Sequence, residues 1–183
     1  MTDDLVVDPA MDDSIIPEEF TDEEWAFFSG WQPVTEVRRK DEAESSRVGR
    51  TIRATPMQCW FNARRVVQKL DDYADASYVE GIAILDGCLI IEHGWVCRRD
   101  GTLIDPTLLS ECVAYFPGLE FLGRAGIEGF LGSPRGRKCN RSPFLYAFGW
   151  GGRYSPSFVA ARERAFLHVR ELLVLQQEVS QDA

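Results

Sequence analysis

The stretch TPMQCWFNARRVV (Thr55–Val67) puts a cysteine between a glutamine and a tryptophan where a helix begins. Thr55 suits an N-cap, and Pro56 suits the first helical position, where its missing N–H costs nothing. Gln58, three residues after Thr55, completes a capping-box pattern. Trp60, Ala63, Val67 and Leu70 then recur at helical spacing, and Asp71-Asp72 marks the expected end. Cys59 falls in the first turn, near unpaired backbone N–H groups and the positive end of the helix dipole. That setting favours a thiolate, the nucleophilic form, and the same donors could hold an oxyanion. A small buried side chain is the simpler reading of a free cysteine, so the rest of the chain has to decide between them.

A chain of 183 residues with 11% aromatic content can bury a sizeable core. Much of its net charge of −9 lies in MTDDLVVDPAMDDSIIPEEFTDEE, residues 1–24. The expected organisation is an acidic, poorly ordered tail over residues 1–19 and a single domain over 20–183. An acidic chain binds the nucleic-acid backbone poorly, so no nucleic-acid partner is expected. The best apolar run, Ile82–Ile91, is interrupted by Asp86-Gly87 and is too short to span a membrane. The acidic start lacks the pattern of a secretory signal. Five cysteines (59, 88, 97, 112 and 139) form no CxxC pair, which suits reduced thiols and a cytoplasmic setting. With two histidines and no zinc-type spacing, neither a metal nor another cofactor is expected. Oligomeric state is not legible.

FTDEEWAFFSGW (residues 20–31) reads as a short helix, and RRKDEAESSRVGR (residues 38–50), being polar, as a loop. Asp86-Gly87 and Asp100-Gly101 are hairpin signals. They predict three antiparallel strands near residues 78–85, 88–98 and 102–105, with the middle one inside the sheet. AYFPGLEFLG offers another strand or turn. GSPRGRKCNRSP (residues 132–143) reads as a solvated basic loop, and YAFGWGGRYSPS as turn-rich. From Pro156 to about Gln181 a long amphipathic helix is expected, capped by Ser155, with Phe158, Ala165, Val169 and Leu172 on one edge of its apolar face and Phe166 and Leu173 on the other. His168 lies beside that stripe and reads as structural or exposed.

His93 sits in IEHGWV within the hairpins, and Asp105 follows twelve residues later in GTLIDPTL. A cysteine nucleophile needs a base within hydrogen-bond reach, and the base needs an orienting acceptor. Register decides whether the strands supply that relation. A strict two-residue Asp100-Gly101 turn sends Asp105 to the face opposite His93. A three-residue loop with a bulge at Gly101 pairs Arg98 with Thr102 and Asp105 with Trp95, on the face of His93. Glu80 is a rival third member, because a two-residue Asp86-Gly87 turn places it opposite His93. Asn140 would give a Cys-His-Asn order but lies in the basic loop.

Three motifs together resemble the transglutaminase-like superfamily: QCWFNA (Gln58–Ala63), EHGWV (Glu92–Val96) and GTLIDPT (Gly101–Thr107), in that family's order. The resemblance covers about residues 55–107. It implies Cys59 as nucleophile, His93 as base and Asp105 as its orienter, on a papain-like α+β fold whose nucleophile helix packs on an antiparallel sheet. Gln58, Trp60, Glu80 and Trp95 are then supporting or substrate-contacting candidates. Met57 replaces the family's usual glycine before Gln-Cys-Trp. ATPMQ lacks the arginine and glycines of the arylamine N-acetyltransferases, and no calcium loop is evident. The implied activity is cysteine-dependent acyl transfer on a protein or peptide, by hydrolysis of an amide or isopeptide or by transfer to an amine. The alternative is a catalytically silent binding protein that keeps the fold. Sealing of Cys59 in the core favours the second, and access to it the first.

Overall fold

Four antiparallel strands and five α-helices make up residues 40–85, 89–108, 112–149, 152 and 155–181, the part of the chain described by this computed structural model. The acidic tail, the helix expected at residues 20–31 and the Asp86-Gly87 turn lie outside the described residues. The class is α+β.

The polar segment expected to be a loop is instead a helix, α1 (Glu42–Thr51), with Asp41 as N-cap accepting the Glu44 N–H at 2.9 Å. Glu42, Arg47 and Arg50 are exposed, while the half-buried Glu44 pairs with Arg47 at 2.6 Å and accepts the Tyr73 hydroxyl at 2.5 Å. Its buried face is Ser45, Val48 and Gly49. Small residues made that face invisible to hydrophobic periodicity, although Asp41-x-x-Glu44 is itself a helix-start signal.

The helix bearing the cysteine, α2 (Cys59–Lys69), starts later than its capping pattern suggested. Thr55–Gln58 forms a turn, with Met57 at φ 62° and the Gln58 N–H donating to the Thr55 carbonyl at 3.3 Å. Thr55 does not cap the helix, because its own backbone is engaged: its N–H donates to Asn62 Oδ1 at 3.1 Å, and its carbonyl accepts from Asn62 Nδ2 at 2.7 Å. Gln58 becomes the N-cap residue without a side-chain capping bond.

The strands are β1 (Ser77–Leu85), β2 (Leu89–Cys97), β3 (Leu103–Ile104) and β4 (Cys112–Leu122), in the order β3-β2-β1-β4. β2 is interior, as its apolar faces required. AYFPGLEFLG, all but its last glycine, is part of β4, which closes the far side against β1. β1 separates two packing environments by the two-residue period of a strand. Val79 and Ala83 join Trp95, Cys97, Leu103 and Tyr115 in one buried cluster. Tyr78 joins Phe121 and Phe144, which pack with Phe130 at centroid distances of 4.4–5.9 Å. α2 packs on β2 and β1.

After β4 the chain forms α3 (Gly123–Gly132) and α4 (Pro134–Lys138). The basic segment is thus partly helical, not a loop. Ser133 caps α4 by accepting the Gly136 N–H at 3.0 Å, with Pro134 at the first position. A 3-10 turn covers Phe144–Phe148. The last helix, α5 (Pro156–Gln181), has Ser155 accepting the Phe158 N–H at 3.3 Å and packs on β4 and β1. Phe158, Ala161 and Ala165 are buried, whereas Phe166 and Leu173, expected on the apolar face, are about half exposed. α5 runs on past the sheet that its first half covers. His168 is half-buried, its ring 5.6 Å from that of Phe116.

Candidate active site

The β2–β3 connection follows the bulged alternative. The Arg98 N–H donates to the Thr102 carbonyl at 2.9 Å, Gly101 has φ 89°, and Val96 pairs with Ile104. Continuing that register brings Asp105 opposite Trp95, on the side of His93. His93 Nε2 and Asp105 Oδ2 are 2.8 Å apart, and both side chains are almost wholly buried.

Asp105 is held on every side. Its Oδ1 accepts the N–H groups of Thr107 at 2.9 Å and Leu108 at 3.0 Å, and its Oδ2 also accepts the Tyr115 hydroxyl at 2.9 Å. Its own N–H donates to Ser45 Oγ on α1 at 3.0 Å. α1 can lie this close because Gly49 has no Cβ, which would come within 2.8 Å of the Pro106 carbonyl oxygen. Burial alone would raise the Asp105 carboxyl. The charge and hydrogen bond of His93, with the two backbone donors, instead bring it below the usual carboxylate range.

Cys59, at the start of α2, is close enough to His93 to act on its charge, after Asp105. Burial pulls His93 down, but Asp105 and Cys59 raise it from 6.5 to about 9. At neutral pH the imidazole therefore keeps a proton. Gly94 lets the strand and helix meet: a Cβ there would stand 2.9 Å from Trp60 Cδ1 and 3.0 Å from Trp60 Cα. The first turn of α2 thus rests directly on the strand that carries His93. Cys59 itself is 7% exposed.

The supporting candidates divide. Trp95 is buried and stacks on His93, centroids 6.2 Å apart. Trp60 is half-buried, and its Nε1 has no hydrogen-bond partner among the described residues. Gln58 is exposed. Glu80 is not opposite His93, a correction of one residue in register: Leu85 pairs with Leu89, so Glu80 pairs with Gly94 and Gly81 with His93. The Glu80 carboxylate instead accepts the Tyr78 hydroxyl and the N–H groups of Phe144 and Leu145, both at 2.7 Å. It anchors the 3-10 turn, and burial raises it to about 7. Asn140 is exposed beyond α4.

Three residues at the site were missed. Asn62 is fully buried, and its Nδ2 donates to Thr107 Oγ1 at 2.9 Å. Its place one turn after Cys59 was a usable signal. Thr107 belongs to an Asp-Pro-Thr turn whose Asp side chain binds backbone two and three residues on, a habit of Asp that the sequence did suggest. Tyr115 had no local signal, because its position depends on β4 pairing with β1. Among the described residues no group of three or more His, Cys, Asp and Glu side chains could hold a metal ion. No described helix is long and apolar enough to cross a membrane.

Comparison with family models, with curated proteins and with solved structures finds no match.

Proposed function

We propose that the protein is a cysteine-dependent acyl-transfer enzyme with a transglutaminase-like, papain-type core, acting on an amide or isopeptide bond of a protein or peptide. The observation that carries this reading is the buried His93–Asp105 pair at 2.8 Å, with the Cys59 thiol at the helix start acting on the same imidazole. The Cys59 thiolate attacks the carbonyl carbon, and the oxyanion is held by N–H groups of the first turn of α2, which have no acceptors within the helix. As the C–N bond breaks, protonated His93 gives its proton to the leaving amine. The acyl group then rests on sulfur as a thioester. Water, or a second amine, attacks that thioester while His93 takes its proton, and the thiolate is released. Asp105 orients the imidazole and stabilises its charged form throughout. Met57 adds support: it adopts the left-handed φ that the glycine of the resembling family would adopt freely.

The burial of Cys59 favours a second reading, a silent binding protein on the same core. One experiment separates the two. The folded protein is treated with an iodoacetamide probe across pH, and the modified cysteine is mapped. Acyl transfer requires Cys59 to alkylate faster at neutral pH than Cys97 or Cys139, and to lose that advantage in His93→Gln. A Cys59 that reacts only after unfolding overturns the enzyme reading.

A further inference from the structure

We propose that Tyr115 is a positioning residue that sets how strongly His93 holds its proton, acting through Asp105. The inference rests on the acyl-transfer reading of this site. Tyr115 and His93 donate to the same carboxylate oxygen, Oδ2, at 2.9 Å and 2.8 Å. The other oxygen is occupied by two backbone N–H groups. Backbone donors fix where the carboxylate sits. The Tyr115 hydroxyl instead competes with the imidazole for one oxygen, drawing charge from it and weakening its pull on the imidazolium.

The hydroxyl is delivered from across the sheet. Tyr115 is on β4, paired with Ala83 of β1, and its ring is braced edge-on against Trp95 at 5.2 Å. The titratable groups acting on His93 are Asp105 from the loop after β3 and Cys59 from α2. Tyr115 itself stands at a ring distance of 6.4 Å. A base that must release its proton to a leaving amine and then take one back works poorly if the carboxylate holds that proton too firmly. A neutral donor on the shared oxygen relaxes the hold without adding charge to the buried site.

The test titrates the ring nitrogens of His93 by NMR in the full chain labelled with 15N-histidine, with His168 as internal reference. Two changes push in opposite directions. Tyr115→Phe keeps the ring and removes the donor, and is expected to raise the His93 midpoint by about half a pH unit. Site-specific 3-fluorotyrosine at 115, a stronger donor of nearly the same shape, is expected to lower it. A ring that only fills space moves neither. Unchanged midpoints, or shifts in the same direction, overturn the proposal, and if Tyr115→Phe does not fold the fluorotyrosine titration decides alone. Alkylation of Cys59 is read separately. An inert Cys59 with opposed His93 shifts refutes the enzyme reading and upholds the Tyr115 relation, while a reactive Cys59 with unmoved midpoints refutes Tyr115 alone.

Discussion

Asn62 Nδ2 donates to Thr107 Oγ1 at 2.9 Å, and that bond ties the helix of Cys59 to the turn of Asp105. The same amide holds both backbone groups of Thr55, so one side chain fixes the approach to Cys59, the helix and the carboxylate turn together.

Asn62→Ala should therefore cost about 1–3 kcal/mol, since it removes three hydrogen bonds made by one fully buried side chain. Urea denaturation measures this. The variant should also alkylate more slowly at Cys59, because the turn before the cysteine loses its tether. A loss under about 0.5 kcal/mol, typical of a surface change, would show that the clamp is dispensable.

Gly94→Ala tests the close approach of β2 to α2. The added methyl meets Trp60 Cδ1 at 2.9 Å and the Trp60 backbone at 3.0 Å, so the helix start has to shift. Overpacking of this kind costs about 1–3 kcal/mol. The displacement should separate Cys59 from His93 and reduce the alkylation rate at neutral pH, while Gly129→Ala, where nothing lies within 4 Å, serves as a control. Equal rates in the two variants would count against the contact.

Stability should fall as pH rises from about 4.5 to 9. Glu80 is raised from 4.5 to about 7 and His93 from 6.5 to about 9. Across each window the folded protein keeps a proton that the unfolded chain has released, so each contribution is full below the lower value and lost on passing the upper one. Each is on the order of 3 kcal/mol. Glu80→Gln should flatten the lower window and His93→Gln the upper. Denaturation midpoints at pH 5, 7 and 9 check this, and a wild-type midpoint that climbs from pH 5 to 9 refutes it.

Met57 is 93% exposed and sits at φ 62°, so replacing it removes no packing. Met57→Gly relieves a left-handed penalty of about 1 kcal/mol but adds freedom to the unfolded chain, leaving a gain of about 0.5 kcal/mol or less. Met57→Val should be worse than wild type by about 1 kcal/mol, since a branched side chain tolerates that φ poorly. Thermal melts that rank valine above glycine would contradict the assigned turn.

The hairpin region was the most legible because its information is local. Asp100-Gly101, alternating apolar residues and the position of Asp105 together narrowed the register to two choices, and only a bulge at Gly101 would bring Asp105 beside His93. Glu80 was misplaced for the same reason: Leu85 pairs with Leu89 rather than Cys88, and a slip of one residue moves every partner. α1 was missed because Ser45, Val48 and Gly49 make a buried face without bulk. The position of Tyr115, and the reach of Asn62 to Thr107, rest on contacts across distances that periodicity does not encode. Phe166 and Leu173 lie on the expected apolar stripe of α5 yet are about half exposed, because a stripe gives a direction but not the extent of the surface beneath it.

The bonds that complete the site also differ in how much chain they enclose. His93 and Asp105 are twelve residues apart and are joined by one hairpin. Asn62 and Thr107 are 45 apart, and Ser45 and Asp105 are 60 apart. Closing a short loop costs less entropy and takes less time, so imidazole and carboxylate are expected to meet first and the thiol to join a pair already built. During refolding, β-hairpin protection in hydrogen exchange should precede any rise in Cys59 alkylation, and a simultaneous onset would contradict that order. A chain that assembles in this sequence keeps the Cys59 thiol apart from its imidazole until the rest of the domain has closed around it.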